Sequence, residues 1–97
     1  MVKQNPQRFR YIVFRIQSEK IVTEQQIIDN LENNLAEFNF RLVYFDGQIG
    51  IVRSVHIAKQ KTMAVLNATR YIGDVKVEIK TIGSSGTIRK AKSKYLI

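Results

Sequence analysis

What most narrows the fold of this chain is the order in which its hydrophobic periods follow one another. In "RYIVFRIQ" (10–17), Ile12, Phe14 and Ile16 alternate with Tyr11, Val13 and Arg15, the period-two pattern of a half-buried strand. The period then lengthens in "TEQQIIDNLENNLAEF" (23–38). Ile27, Ile28, Leu31, Leu35 and Phe38 recur at helical spacing, and Thr23 with Gln26 opens the segment as a capping box. This helix exposes Glu24, Asp29, Glu32 and Glu37, an acidic surface. "FRLVYF" (40–45) and "IGIVRSVH" (49–56) read as strands around Asp46-Gly47, a hairpin signal of the mirror-image turn type. Gly50 inside the second run marks a bulge or a close backbone approach. Residues 57–72 return to a helical period, with Ile57, Ala64, Val65, Ala68 and Ile72 on one stripe and Gly73 as the stop. "DVKVEIKTI" (74–82) alternates again, Val75, Val77 and Ile79 inward, Lys76, Glu78 and Lys80 outward.

The string βαββαβ is the split βαβ order of ferredoxin-like (RRM-like) folds. It predicts an α+β domain in which a four-stranded antiparallel sheet carries two helices on one face. The other face is left open, with Tyr11, Val13, Arg15, Lys76, Glu78 and Lys80 on it. A chain of 97 residues makes one such domain, 1–97. Its core is expected at 9–82, with 83–97 as a basic tail in which Ile88 and Tyr95-Leu96-Ile97 offer apolar contacts to pin it to the body or to a partner.

The formal net charge is +8, and its distribution is uneven. Residues 1–20 hold Lys3, Arg8, Arg10, Arg15 and Lys20 against Glu19 alone, and residues 84–97 hold Arg89, Lys90, Lys92 and Lys94 with no acid. Between them, cations and anions balance. A solubilising surface intersperses its signs, whereas cations gathered at both ends form the footprint of a polyanion partner. In "IGSSGTIRKAKSK", Gly83 and Gly86 let backbone approach phosphates, Ser84, Ser85 and Thr87 offer short hydroxyls, and Arg89 offers a bidentate fork.

Other chemistries find little support. The chain has no cysteine, which excludes disulfides, thiolate metal sites and a cysteine nucleophile. His56, the one histidine, has no nucleophile and acid placed with it and reads as a strand-end surface residue. No acidic pair has metal-site spacing, and "IGSSGT" lacks the lysine of a nucleotide-binding P-loop. No catalytic or metal site is expected. No stretch approaches the ~18 apolar residues of a membrane span, and the start lacks a secretory pattern, so a soluble, cytoplasmic protein with no membrane partner is expected. An acylphosphatase-like enzyme or a ligand-sensing module needs a glycine turn after the first strand, where this chain has "QSEKIVTEQQ". A free-standing RRM-like single-strand binder needs stacking aromatics, and the third strand has none beside Tyr11.

"RYIVFRI", "RLVYFDGQIGIVRSVH" and "GSSGTIRKAKSKYL", in this order and spacing, resemble the ribonuclease P protein component 2 family, the archaeal counterparts of the eukaryotic Pop-five subunit. The likeness covers about residues 8–96. It implies a subunit of the endoribonuclease that removes the 5′ leader from precursor tRNA, in which the RNA performs hydrolysis with bound Mg²⁺. The protein would support the RNA's catalytic domain and bind no cofactor itself. Implied partners are ribonuclease P RNA, precursor tRNA and protein component 3, the last in a 2:2 heterotetramer with two copies of this chain in contact. By the same carry-over Thr87, Arg89 and Lys90, with Arg10, Tyr11 and Arg53, touch or position RNA, and Ser85 and Gly86 shape the loop. Arg8, Arg15, Lys92 and Lys94 join this RNA-binding set on charge alone.

Overall fold

The computed structural model describes residues 8–35 and 40–96; Lys3, Glu37, Phe38 and the residues before Arg8 lie outside them. β1 (Phe9–Ser18) leads to α1 (Glu24–Leu35), β2 (Phe40–Phe45) and β3 (Ile49–Val55). A single 3-10 turn at His56–Ala58 precedes α2 (Lys59–Ala68), then come β4 (Tyr71–Ile72), β5 (Val75–Ser85) and α3 (Ile88–Tyr95). The strands form one sheet ordered β2-β3-β1-β5-β4, and every pairing is antiparallel. The first and last long strands thus lie side by side in the middle. The fold is α+β and compatible with the ferredoxin-like order, but two features differ from expectation. The two residues of β4 add a fifth strand by folding back on β5, and a third helix is present.

α1 and α2 bury their stripes against one face of the sheet. Ile12, Phe14 and Ile16 of β1 meet Ile27, Leu31 and Leu35 of α1 there, with Leu66 from α2. The capping box forms as predicted: the Thr23 amide donates to Gln26 Oε1 at 2.9 Å, and the Gln26 amide donates to Thr23 Oγ1 at 3.2 Å. Gly50 marks a close approach. A Cβ there would collide with the ring of Phe14 on the neighbouring strand. The bulges fall elsewhere, at Val43 between Leu42 and Tyr44 of β2, and opposite the Val13/Phe14 step of β1.

α2 corrects the sequence reading. Its buried positions are Thr62 and Leu66, in line with Ala58 of the preceding turn; Val65 is half-buried against the core, whereas Ile57 is 87% exposed and Ala64 and Ala68 face solvent. Thr62 is tolerated in the core because its hydroxyl donates to the Ala58 carbonyl at 2.8 Å. A satisfied threonine on the buried stripe shifts the helix away from its apolar pattern. The helix ends at Ala68, with Thr69 extended. Ile72 therefore belongs to β4, and Gly73, at φ +62°, turns the β4–β5 hairpin instead of stopping the helix.

The β2–β3 turn carries its one positive φ at Gly47 (+100°). Asp46 locks it: its carboxylate accepts from the Gln48 amide at 2.9 Å and the Ile49 amide at 2.8 Å. These bonds hold the Asp46 carboxyl below its ordinary range.

Two measurements check this packing. Leu31→Ala leaves a cavity in the core and is expected to lower unfolding free energy by about 2–5 kcal/mol in urea titration; a drop well below that range would remove Leu31 from the core. Because the folded carboxyl of Asp46 titrates low, its contribution is complete above the ordinary carboxylate value, about 3.9, and disappears as pH falls through the lower folded value. Asp46→Asn should therefore destabilise near neutrality and converge with the wild type in acid.

Candidate nucleic-acid interface

Of residues 83–97, expected as a tail, the described part to Leu96 is built into the domain. β5 continues to Ser85 and α3 begins at Ile88. Thr87 caps it from an extended conformation, its Oγ1 accepting from the Lys90 amide at 3.1 Å, which satisfies one of the helix's first free N–H groups. Ile88, Ala91 and Tyr95 fall at helical spacing, and Ala91 is fully buried against Val13 and Ile51 on the outer sheet face. Tyr95 and Leu96 pack on the same cluster. The Tyr95 hydroxyl lies where a Cβ on residue 83 would be, so Gly83 is what lets the helix settle onto β5. The outer face, expected open, is covered over Val13 and Ile51.

The opposite side of α3 is cationic. Arg89, Lys90, Lys92 and Lys94 are all exposed, and the helix has no acid. Arg89 and Lys90 stand in its first turn, where the helix dipole disfavours positive charge. Helix stability does not explain them. Lys92 Nζ lies 5.3 Å from the centre of the Tyr44 ring on β2, and Lys94 Nζ lies 5.6 Å from that of Tyr95, both within cation–π range.

β1 joins the two basic ends of the sequence. Tyr11 is paired with Arg53 on β3 and with Ser85 on β5. Arg10 Nη1 lies 3.4 Å from the position a Cβ on Gly86 would take. Arg8 is exposed at the start of the strand, and the Arg53 guanidinium sits 4.5 Å over the ring of Phe9. Arg8, Arg10, Arg53, Ser85 and Gly86 therefore adjoin the start of α3. Arg15 does not belong with them. It lies beside Lys80, five residues and roughly 16 Å further along the strand.

Some expected roles change. Tyr11 packs against the cluster under α3 and is not a free stacking platform. The Thr87 hydroxyl is engaged as a helix cap. Ser85 Oγ accepts weakly from the Thr87 amide at 3.5 Å. His56 is exposed, at the start of the 3-10 turn, its amide donating to the Arg8 carbonyl at 2.7 Å. Arg41 escapes a reading by charge segregation: it is exposed and paired with Arg53. Counting back from the Asp46-Gly47 turn puts Leu42 opposite Arg53, and only the bulge at Val43 brings Arg41 there. Among the described residues no three His, Cys, Asp or Glu side chains gather as a metal site, and no helix is long and apolar enough to cross a membrane.

The model of the Rpp14/Pop5 family matches residues 10–96. A protein of Archaeoglobus fulgidus called ribonuclease P protein component 2 is 39% identical, with 92% of this chain and 89% of that one covered. Its namesake in Methanocaldococcus jannaschii is 32% identical, over 90% of this chain and 72% of that one. A chain in a cryo-EM structure of yeast ribonuclease MRP has the same fold, with a TM-score of 0.65 at 12% identity, covering 88% of this chain and 79% of that one.

Removing the cap tests how α3 is held. Thr87→Ala is expected to cost about 1 kcal/mol, felt as faster amide exchange in the first turn of α3 while the core amides of β1 keep theirs. Unchanged exchange in α3 would show that packing alone fixes the helix.

Proposed function

This chain belongs to the Rpp14/Pop5 family, and from that premise we propose that it is a protein subunit of ribonuclease P that binds the enzyme's RNA. The observation that carries the reading is the meeting of the two basic ends of the sequence. Pairing of β1 with β5 sets Arg8 and Arg10 next to the turn that starts α3, and pairing of β1 with β3 sets Arg53 across β1 from it. The first helix, with Glu24, Asp29 and Glu32 exposed, packs on the other side of the sheet and repels a polyanion, so the RNA runs along the α3 side. Phosphate contacts dominate, because the outer-face apolar residues that an RRM would offer to bases are under α3.

In this reading the chain is not the catalyst. Removal of the 5′ leader from precursor tRNA is the work of the RNA and its Mg²⁺, and the protein steadies the fold of the RNA's catalytic domain by neutralising crowded phosphates. It works in the cytoplasm and binds no cofactor. Its protein partner is ribonuclease P protein component 3, in a 2:2 assembly with two copies of this chain in contact.

Reconstitution tests this directly. Leaving the protein out of an assembly of the RNA and the other subunits is expected to raise the Mg²⁺ concentration needed for cleavage; an unchanged Mg²⁺ profile would refute the role. Replacing Arg89 and Lys90 together by Ala is expected to weaken RNA binding. The slope of log affinity against log salt should flatten by roughly 0.7–0.9 for every phosphate the variant no longer neutralises. A slope identical to the wild type would mean α3 faces protein or solvent.

A further inference from the structure

We infer that Arg10 is the centre of a pocket for one phosphate group, an inference that rests on the RNA-binding reading and gives it a fixed point. The guanidinium lies at the junction of β1, the Ser85–Gly86 turn and the 3-10 turn. A shallow depression opens there, walled by Arg8, Phe9, Arg10, His56 and Gly86. Two arginines and a histidine contribute, and no acid does. The Arg10 guanidinium reaches the turn, its Nη1 3.4 Å from where a Cβ on Gly86 would begin.

The Arg10 Nε–H is buried and has no hydrogen-bond acceptor, and among the described residues no carboxylate pairs with the side chain. Buried N–H groups are nearly always partnered, and a guanidinium stays charged at any ordinary pH. The site therefore lacks both an acceptor and a negative charge. One group supplies both: a tetrahedral oxyanion in the depression, whose oxygens take the Nη donors first and meet the covered Nε–H once the side chain shifts toward the opening. The flanking cations at Arg89 and Lys90, just past Gly86, make that oxyanion a phosphate of a polyanionic chain rather than an isolated carboxylate. The exposed cations of α3 hold RNA by charge, which any cation supplies. Arg10 holds it by geometry, which lysine cannot supply.

The test uses the full-length protein. Arginine Nε–H resonances are followed by NMR while inorganic phosphate, and in parallel acetate, is added at constant ionic strength. The Arg10 signal is expected to shift saturably with phosphate and not with acetate; a linear response, or a stronger saturable response to acetate, overturns the pocket. Affinity for ribonuclease P RNA is then compared for wild type, Arg10→Lys and Arg10→Ala, each checked for native β1 and β5 amide signals. If the fork matters, the lysine variant falls as far as the alanine variant, roughly tenfold. Wild-type affinity in Arg10→Lys overturns the pocket while leaving the RNA-binding role intact. Failure of the wild type itself to bind the RNA is the different result that refutes the role. The phosphate titration needs no variant, so it decides the matter even if the substitutions unfold the protein.

Discussion

The structure depends on a central strand buried on both sides. Ile12, Val13 and Phe14 are each fully buried, although successive side chains of a strand point to opposite faces. Ile12 and Phe14 lie under α1 and α2, and Val13 lies under α3. Hydrophobic burial on each face scales with the area removed from water, so β1 ties together two layers of helix that do not touch one another's stripes. Its neighbours then follow: β3 on one side and β5 on the other, antiparallel to it. Because β5 runs back toward the start of β1, the end of the chain returns to its beginning. The segregation of charge along the sequence becomes, in space, a single basic region.

Much of this is legible in the residues themselves. The strand periods, the stripe of α1, the capping box at Thr23 and Gln26, the Asp46-Gly47 hairpin and the close approach at Gly50 are local chemistry, and each needs only a few neighbouring residues; the stripe of α2, where a satisfied Thr62 is buried, is not. The covered outer face is also written in the sequence, though less plainly. "YIVF" is a nearly continuous apolar run, the pattern of a strand buried on both faces, and Ile49 and Ile51 repeat the message on β3. Read as simple alternation, Val13 looks like an outward residue on an open sheet. α3 itself is short, lacks the acid that usually marks a first turn, and has a Thr-x-x-Lys cap in place of a capping box, so its local signals are weak. What makes it helical is tertiary packing of Ala91 and Tyr95, which a local reading of the chain does not see.

The basic surface is legible as charge and not as geometry. Segregation of cations names Arg8, Arg10, Arg89 and Lys90 without saying that they meet. Arg15 looks equivalent to Arg10 by charge, yet it stands near the other end of the strand. Arg41 looks unremarkable until a one-residue bulge turns it to face Arg53. Packing α3 down on the sheet also changes what the surface recognises. Apolar groups that could serve unstacked bases are taken up by Ala91 and Tyr95, and exposed cations are left in their place. A surface of that kind suits the backbone of a folded RNA, in keeping with a family whose named members are ribonuclease P components.

Amide hydrogen exchange across the whole protein, with and without ribonuclease P RNA, addresses this account most directly. Slower exchange on adding RNA is expected in residues 8–12 and 84–92 together, with residues 24–35 of α1 unaffected. Protection confined to α1, or to only one of the two basic segments, would contradict the claim that the chain's ends form one RNA-gripping surface.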